Sequence, residues 1–154
     1  MPDIVEASTT AEFAAGRALF EEYAGQLGVD LCFQDFETEL VQIHTMYAPP
    51  SGCLLLARRD DAFIACGAMR RKSEKICEMK RLYVGAEGRG AGLGRRIAAA
   101  LIRRASALGY TSMVLDTLPG MRVAQALYRS LGFRERSPYY HNPVPGVVYM
   151  ELNL

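Results

Sequence analysis

The 154-residue chain has no run of about 18 apolar residues, the length a membrane-crossing helix needs, and Met1 to Glu6 lack the basic-then-apolar order of a secretory leader. Both absences predict a cytoplasmic protein with no membrane partner. Cysteine and histidine are sparse. Cys32, Cys53, Cys66 and Cys77 form no CxxC pair, and only His44 and His141 are available to join them. Neither a metal centre nor a disulfide framework is expected, and the thiols read as buried and free. Two phosphate-binding signatures are also missing. No glycine is followed by Lys-Ser or Lys-Thr, as a Walker A loop requires, and position 95, where a GxGxxG pattern from Gly90 needs glycine, is Arg95. Internal repeats and low-complexity tracts are absent.

With 50% hydrophobic and 23% charged residues, the chain fits one globular domain over 1–154 with a single core. The net charge of +1 conceals a split. Residues 1–50 hold nine acidic residues and one arginine, whereas 51–154 hold eight acidic and seventeen basic ones. The split reads either as two ligand chemistries, an anion met by the larger part and a cation by the first fifty residues, or as solvated surface charge.

Residues 4–8 suit a short strand, and Thr10 is a candidate N-cap for a helix from Ala11 to Leu27 that Gly28 stops. Phe36 to Met46 reads as a second helix, with Leu40, Ile43 and Tyr47 on one side and Pro49-Pro50 at its end. Strand-like runs Cys53–Arg59 and Phe63–Arg70 flank Asp60-Asp61, and Ile76–Val84 is a third. A helix with apolar residues at Leu93, Ile97, Leu101, Ala105 and Leu108 follows, then a strand at Met113–Leu115, a helix from Met121 to Leu131, and strands at Arg134–Arg136 and Val147–Leu152 around a proline- and tyrosine-rich loop. The order predicts an α/β fold on a mixed sheet.

Between Ile76–Val84 and the next helix, Gly88, Gly90, Gly92 and Gly94 occupy four of seven positions. A strand, a glycine turn and a helix start leave N–H groups unpaired at the positive end of the helix, a site for phosphate. Glycine lets such an anion approach the backbone. A tight structural turn accounts for the glycines equally well.

The spacing Arg89-Gly90-Ala91-Gly92-Leu93-Gly94 resembles the Arg/Gln-x-x-Gly-x-Gly/Ala signature of the GNAT superfamily of acyl-CoA-dependent N-acyltransferases. The preceding "CEMKRLYV" and the later "ALYRSLGF" extend the resemblance over about 53–154, and "NPVPG" with "CEMKRLYV" resembles a bacterial subgroup whose acceptors are mostly unassigned. The resemblance implies a mostly antiparallel central sheet flanked by about four helices, with a splayed strand pair forming the CoA cleft. It implies acetyl-CoA as co-substrate and no metal. Residues 76–108 would form the strand, loop and helix that bind CoA. Arg89, Gly90, Ala91, Gly92, Leu93, Gly94 and Arg95 would hold the pyrophosphate, and Leu82, Tyr83 and Val84 the pantetheine arm. The Leu82 N–H would serve the oxyanion. Residues 1–50 would form the acceptor side.

The chemistry needs a neutral amine, a stabilised oxyanion and a proton for the leaving thiolate. Glu78 stands where family members carry a basic glutamate; it also reads as a salt-bridge partner of Lys80 or Arg81. Tyr128, four residues before Gly132, matches the family's tyrosine acid and also reads as a core aromatic. Where many relatives have a cofactor-binding asparagine, this chain has Met121. Tyr47, Tyr139, Tyr140 and His141 are candidates to line an acceptor pocket that takes a primary amine of a small molecule or peptide. A homodimer is compatible with the resemblance, and no segment identifies an interface. A CoA-binding regulatory module without catalysis is the alternative. A basic set of Arg70, Arg71, Lys72, Lys75, Lys80 and Arg81 raises nucleic acid as a partner, but interleaved aromatics are missing and none is expected.

Overall fold

The computed structural model describes residues 1–31 and 34–154, so Cys32 lies outside the described residues. Strands β1 (Asp3–Glu6), β2 (Cys53–Arg59), β3 (Ala62–Arg71), β4 (Ile76–Val84), β5 (Ser112–Thr117), β6 (Arg134–Arg136) and β7 (Val148–Asn153) form one sheet in the order β1-β2-β3-β4-β5-β7-β6. Every neighbouring pair is antiparallel except β4 and β5, which are parallel. The helices among the described residues are α1 (Thr10–Leu27), α2 (Phe36–Val41), α3 (Ile43–Met46), α4 (Leu93–Ala107) and α5 (Arg122–Ser130). This is the mixed, mostly antiparallel architecture that the sequence predicts, with one helix more, because the segment expected as a continuous second helix breaks at Gln42 (φ −102°, ψ 17°) into α2 and α3. Burial continues across the break at Glu39, Ile43 and Tyr47.

The helices cover both faces of the sheet. On one face, α1 buries Phe13, Leu19 and Phe20 with Ile43 and Tyr47 against Leu54, Leu56, Cys66 and Tyr83. On the other, α4 buries Leu93, Ile97, Leu101 and Ala105 against Leu55, Ala65, Met69 and Met79. Gly67 lets α4 seat closely on β3, since a Cβ there would lie 2.6 Å from Ile97 Cγ2. Leu108, expected on this stripe, falls past the end of α4 and is exposed.

Local chemistry fixes the ends. The cap of α1 is Thr9 rather than Thr10: its hydroxyl accepts from Glu12 N at 3.1 Å while Glu12 Oε1 accepts from Thr9 N at 3.1 Å, a closed capping box. The backbone N–H groups of Ser8 and Thr9, both donating to Glu12 Oε1, hold the Glu12 carboxyl below its usual range. The β2–β3 turn needs no glycine because Asp60 takes the left-handed conformation (φ 54°), which aspartate tolerates better than most residues.

Two departures from regular pairing shape the middle of the sheet. β4 and β5 pair only from Ile76–Glu78 to Ser112–Val114, after which Met79–Val84 and Leu115–Thr117 run apart. On the other side of β4, Lys80 pairs with Ala68 and Tyr83 with Cys66, so Arg81 and Leu82 together face Gly67. That is a β-bulge, with Arg81 in the left-handed region at φ 58°.

Candidate active site

The bulge is held from outside the strand. The Arg81 guanidinium donates to both oxygens of Glu39, at 2.9 Å from Nε and 2.7 Å from Nη2, and lies over the Phe36 ring. Both partners are buried, and the Tyr47 hydroxyl donates to Glu39 Oε2 at 3.0 Å. Burial alone would raise the Glu39 carboxyl; the hydrogen bonds and charge of Arg81 overcome it, and the group sits below the usual carboxylate range. An otherwise costly backbone conformation is therefore secured by a fully paired charge.

Beyond the bulge, a short 3-10 turn at Ala86–Gly88 leads into Gly90 (φ 85°) and Gly92 (φ 71°), the latter capping α4. A Cβ at either would meet no atom within 4 Å. Backbone conformation thus demands glycine at both positions, and the open space beside them is a cleft of 670 Å³ bounded by Tyr23 and Leu27 of α1, Leu82 to Val84 of β4, Arg89 to Arg95, and Met121 and Leu127. The first bond inside α4 runs from Arg96 N to Gly92 O at 3.1 Å, and no side chain caps the helix. The N–H groups of Leu93, Gly94 and Arg95 consequently have no intrahelical acceptor, at the end where the helix dipole favours an anion. The side chain of Arg89 reaches Val84 O at 3.2 Å and Gln26 Oε1 at 3.1 Å; Arg95 donates to Ser130.

Where β4 and β5 part, a smaller cavity of 50 Å³ lies among Leu31, Gln34, Lys80, Arg81, Leu82, Leu115 to Thr117, Tyr128 and Asn142. Tyr128 is 7% exposed, packs on Phe133, and its hydroxyl has no hydrogen-bond partner among the described residues. Burial pushes its pKa up, so it stays protonated. Met121, at the cap of α5, lines both cavities, and its sulfur accepts from the Tyr23 hydroxyl at 3.7 Å.

The remaining candidates separate. Glu78 is 1% exposed, and its ion pair is with Arg70 (2.9 Å), its register partner on β3, rather than with Lys80 or Arg81; Tyr139 donates to its other oxygen at 2.6 Å. Directly opposed residues of antiparallel strands meet in this way, whereas Arg81 is drawn off by Glu39. Burial would raise the Glu78 carboxyl, but the Lys80 charge, the Tyr139 hydroxyl and Arg70 together hold it low and ionised. Tyr140 donates to Asp116 and accepts from Gln34 at 2.8 Å. Tyr47 is buried beneath α1 and reaches neither cavity, whereas His141 is exposed and lines a separate pocket of 520 Å³ with Tyr139 and Tyr140.

Sequence reasoning missed Asp116, Asn142, Gln34 and the role of Lys80. Asn142 donates to Asp116 at 2.9 Å, and Lys80 Nζ lies 3.5 Å from Gln34 Oε1. These four come from separate segments that only the folded chain brings together. Lys80 and Arg81 are buried and Arg70 is paired, so the basic set does not form a continuous surface. Cys53, Cys66 and Cys77 are free and buried, and burial pushes Cys53 and Cys77 to about 12 and Cys66 higher. Among the described residues no helix is long and apolar enough to cross a membrane, and no group of three His, Cys, Asp or Glu is arranged to hold a metal ion.

The family model described as "Acetyltransferase (GNAT) family" matches residues 16–133. The chain belongs to that family. An uncharacterised N-acetyltransferase of Schizosaccharomyces pombe is 44% identical over 140 residues, covering 90% of this chain and 86% of that one. An IAA acetyltransferase of Azospirillum brasilense is 32% identical over 153 residues, 98% of each chain. In architecture, an acetyltransferase of Streptococcus agalactiae superposes with a TM-score of 0.82 at 20% identity over 99% of this chain and 98% of that one. The GNAT match ends at Phe133, ahead of the tyrosine loop and β7.

Proposed function

We propose that this GNAT enzyme is a single-domain N-acetyltransferase that moves an acetyl group from acetyl-CoA directly to a primary amine of a small molecule or peptide. The observation that carries the reading is that two cavities adjoin: the cleft at the glycine cap of α4 and the smaller one holding Tyr128 share Tyr23, Leu27, Leu82 and Met121. An extended anionic thioester would lie along the two. Gly90 to Arg95 would receive the pyrophosphate at the helix start, and the backbone of Leu82 to Val84 the pantetheine arm.

The amine nitrogen attacks the thioester carbonyl carbon, and the Leu82 N–H, within the bulge, is the proposed donor to the oxyanion. As the C–S bond breaks, Tyr128 donates its proton to the sulfur and recovers one from solvent. Glu78 is the basic group. Both its oxygens are occupied, so it acts through Tyr139, which accepts the amine's proton as its own moves to Glu78. Glu78 passes its proton to solvent as Tyr128 takes one up, so a neutral amine releases no net proton and an amine arriving as ammonium releases one. Direct transfer is favoured because the described thiols are buried and neutral, unsuited to carry an acyl group.

Calorimetric titration with acetyl-CoA, followed by thiol release across a panel of amines, tests the reading. Binding plus release with one amine class supports it; binding without release from any amine favours a regulatory CoA-binding module, and no binding refutes the cleft assignment.

A further inference from the structure

Resting on the acetyltransferase reading, we infer that the acceptor is a small amino acid whose carboxylate is received by the Lys80 ammonium inside the cleft. The argument begins with the state of the surrounding charges. Arg81 is closed by Glu39 on two hydrogen bonds, and Arg70 by Glu78. Lys80 is different. It is 8% exposed, forms no ion pair among the described residues, and has Gln34 Oε1 at 3.5 Å, the edge of hydrogen-bonding range, as its contact. A buried ammonium with three donors and one long partner is incomplete. Burial and the neighbouring Arg81 charge accordingly push Lys80 down to about 8.

The carboxylates nearby are not in the same condition. Glu39, Glu78 and Asp116 each already accept two or more hydrogen bonds from Arg81 and Tyr47, from Arg70 and Tyr139, and from Tyr140 and Asn142. The faces of Tyr139 and Tyr140, which would otherwise receive a second ammonium, carry Lys72 at 5.4 and 5.6 Å. A second ammonium would therefore meet the Lys80 charge, with Asp116 Oδ1, open among the described residues, as its acceptor, whereas a carboxylate meets the Lys80 ammonium directly.

The cavity adds the amine. Lys80, Leu82 and Tyr128 line it together, so an acceptor with its carboxylate on Lys80 can present its amine toward the thioester proposed to lie at Leu82 and Tyr128. The small volume of the cavity around Lys80, 50 Å³, suits a free amino acid better than a peptide chain.

The test compares L-amino acids with their amides, their decarboxylated amines and their aminophosphonates, in wild type and in Lys80→Met, whose apolar side chain has nearly the same length and leaves no buried charge. Acetyl-CoA calorimetry comes first, since its failure would remove the enzyme reading itself. With acetyl-CoA bound, wild type should favour the amino acid over its amide by at least tenfold in kcat/KM. In Lys80→Met that preference should fall at least tenfold, mainly through KM, with acetyl-CoA affinity within twofold. The N-acetyl amino acid should bind the wild type in calorimetry and its amide should not, a readout independent of turnover. Aminophosphonates outrunning amino acids would replace carboxylate by phosphonate and overturn the amino-acid class. Equal use of acids and amides, or an equal loss with both in Lys80→Met, would overturn the inference.

Discussion

Replacing Glu39 by glutamine isolates the ion pair that holds the bulge. Removing one member of a buried pair costs ~3–5 kcal/mol, because the other charge stays buried without compensation. Glutamine keeps one oxygen for Arg81 and removes only the charge, which puts the expected loss near the lower end, about 3 kcal/mol. With a urea slope of about 1–3 kcal/mol/M, the unfolding midpoint should fall by about 1–3 M, with an unchanged slope. The pH dependence has a definite sign. Glu39 is held below the usual carboxylate range, so its contribution is complete above the unfolded value, 4.5, and is lost as pH falls through the lower folded value. Wild type and variant should converge on acidification. Adding Arg81→Gly removes the stranded guanidinium and suits a backbone at φ 58°, so the double variant should be more stable than Glu39→Gln alone. Because the pair anchors Leu82 and is remote from the glycine turn of α4, kcat should fall further than acetyl-CoA affinity. A loss below about 1 kcal/mol at neutral pH, typical of a screened surface pair, would refute the argument.

Gly92→Val should weaken acetyl-CoA binding at least about tenfold, since a side chain there enters the cleft and strains a backbone at φ 71°; unchanged calorimetric affinity in a folded variant would remove the pyrophosphate assignment. Tyr128→Phe should lower kcat by about a hundredfold, as loss of a general acid does, with stability within ~0.5 kcal/mol because the hydroxyl has no partner among the described residues; wild-type turnover would exclude the acid role. Glu78→Gln should depress the rate most at low pH, where the amine is least often neutral, and a parallel pH profile would confine Glu78 to positioning Tyr139 and Arg70.

The parts of the molecule legible in the sequence are those encoded locally. Gly28, Gly109 and Gly132 mark helix ends because each takes a positive φ that side chains resist, and the α4 stripe from Leu93 to Ala105 follows from helical period alone. The glycine turn was legible for the same reason, although its glycines answer to backbone conformation as much as to the ligand's approach. Pairing across the sheet was not. Glu78 next to Lys80 and Arg81 suggests a local ion pair, but strand register places Arg70 opposite it and a helix from the first fifty residues takes Arg81. The acidic N-terminal segment read as attraction for a cation; its Glu39 instead closes the bulge, at a sequence separation of 42 that no local pattern marks.

That difference in encoding divides the cleft into two kinds of specificity. Its α4 half is made of backbone: positive φ at two glycines, free N–H groups at a helix start, and a strand freed by divergence. On the proposed reading such a surface would recognise features common to every acyl-CoA, and it changes only when the chain path changes. The acceptor half is made of side chains from α2, β4, β5, the tyrosine loop and the segment before α2, tied at separations of 24 to 106 residues. Each tie is one hydrogen bond or ion pair, and exchanging one residue alters the local charge without moving β4. Lys80 stands at the junction, with its backbone in the strand proposed to meet the thioester arm and its side chain in the proposed acceptor half. A substitution there should retune which amine is accepted while leaving acetyl-CoA binding in place, because the bulge one residue further on is anchored by Arg81 and Glu39 and not by Lys80.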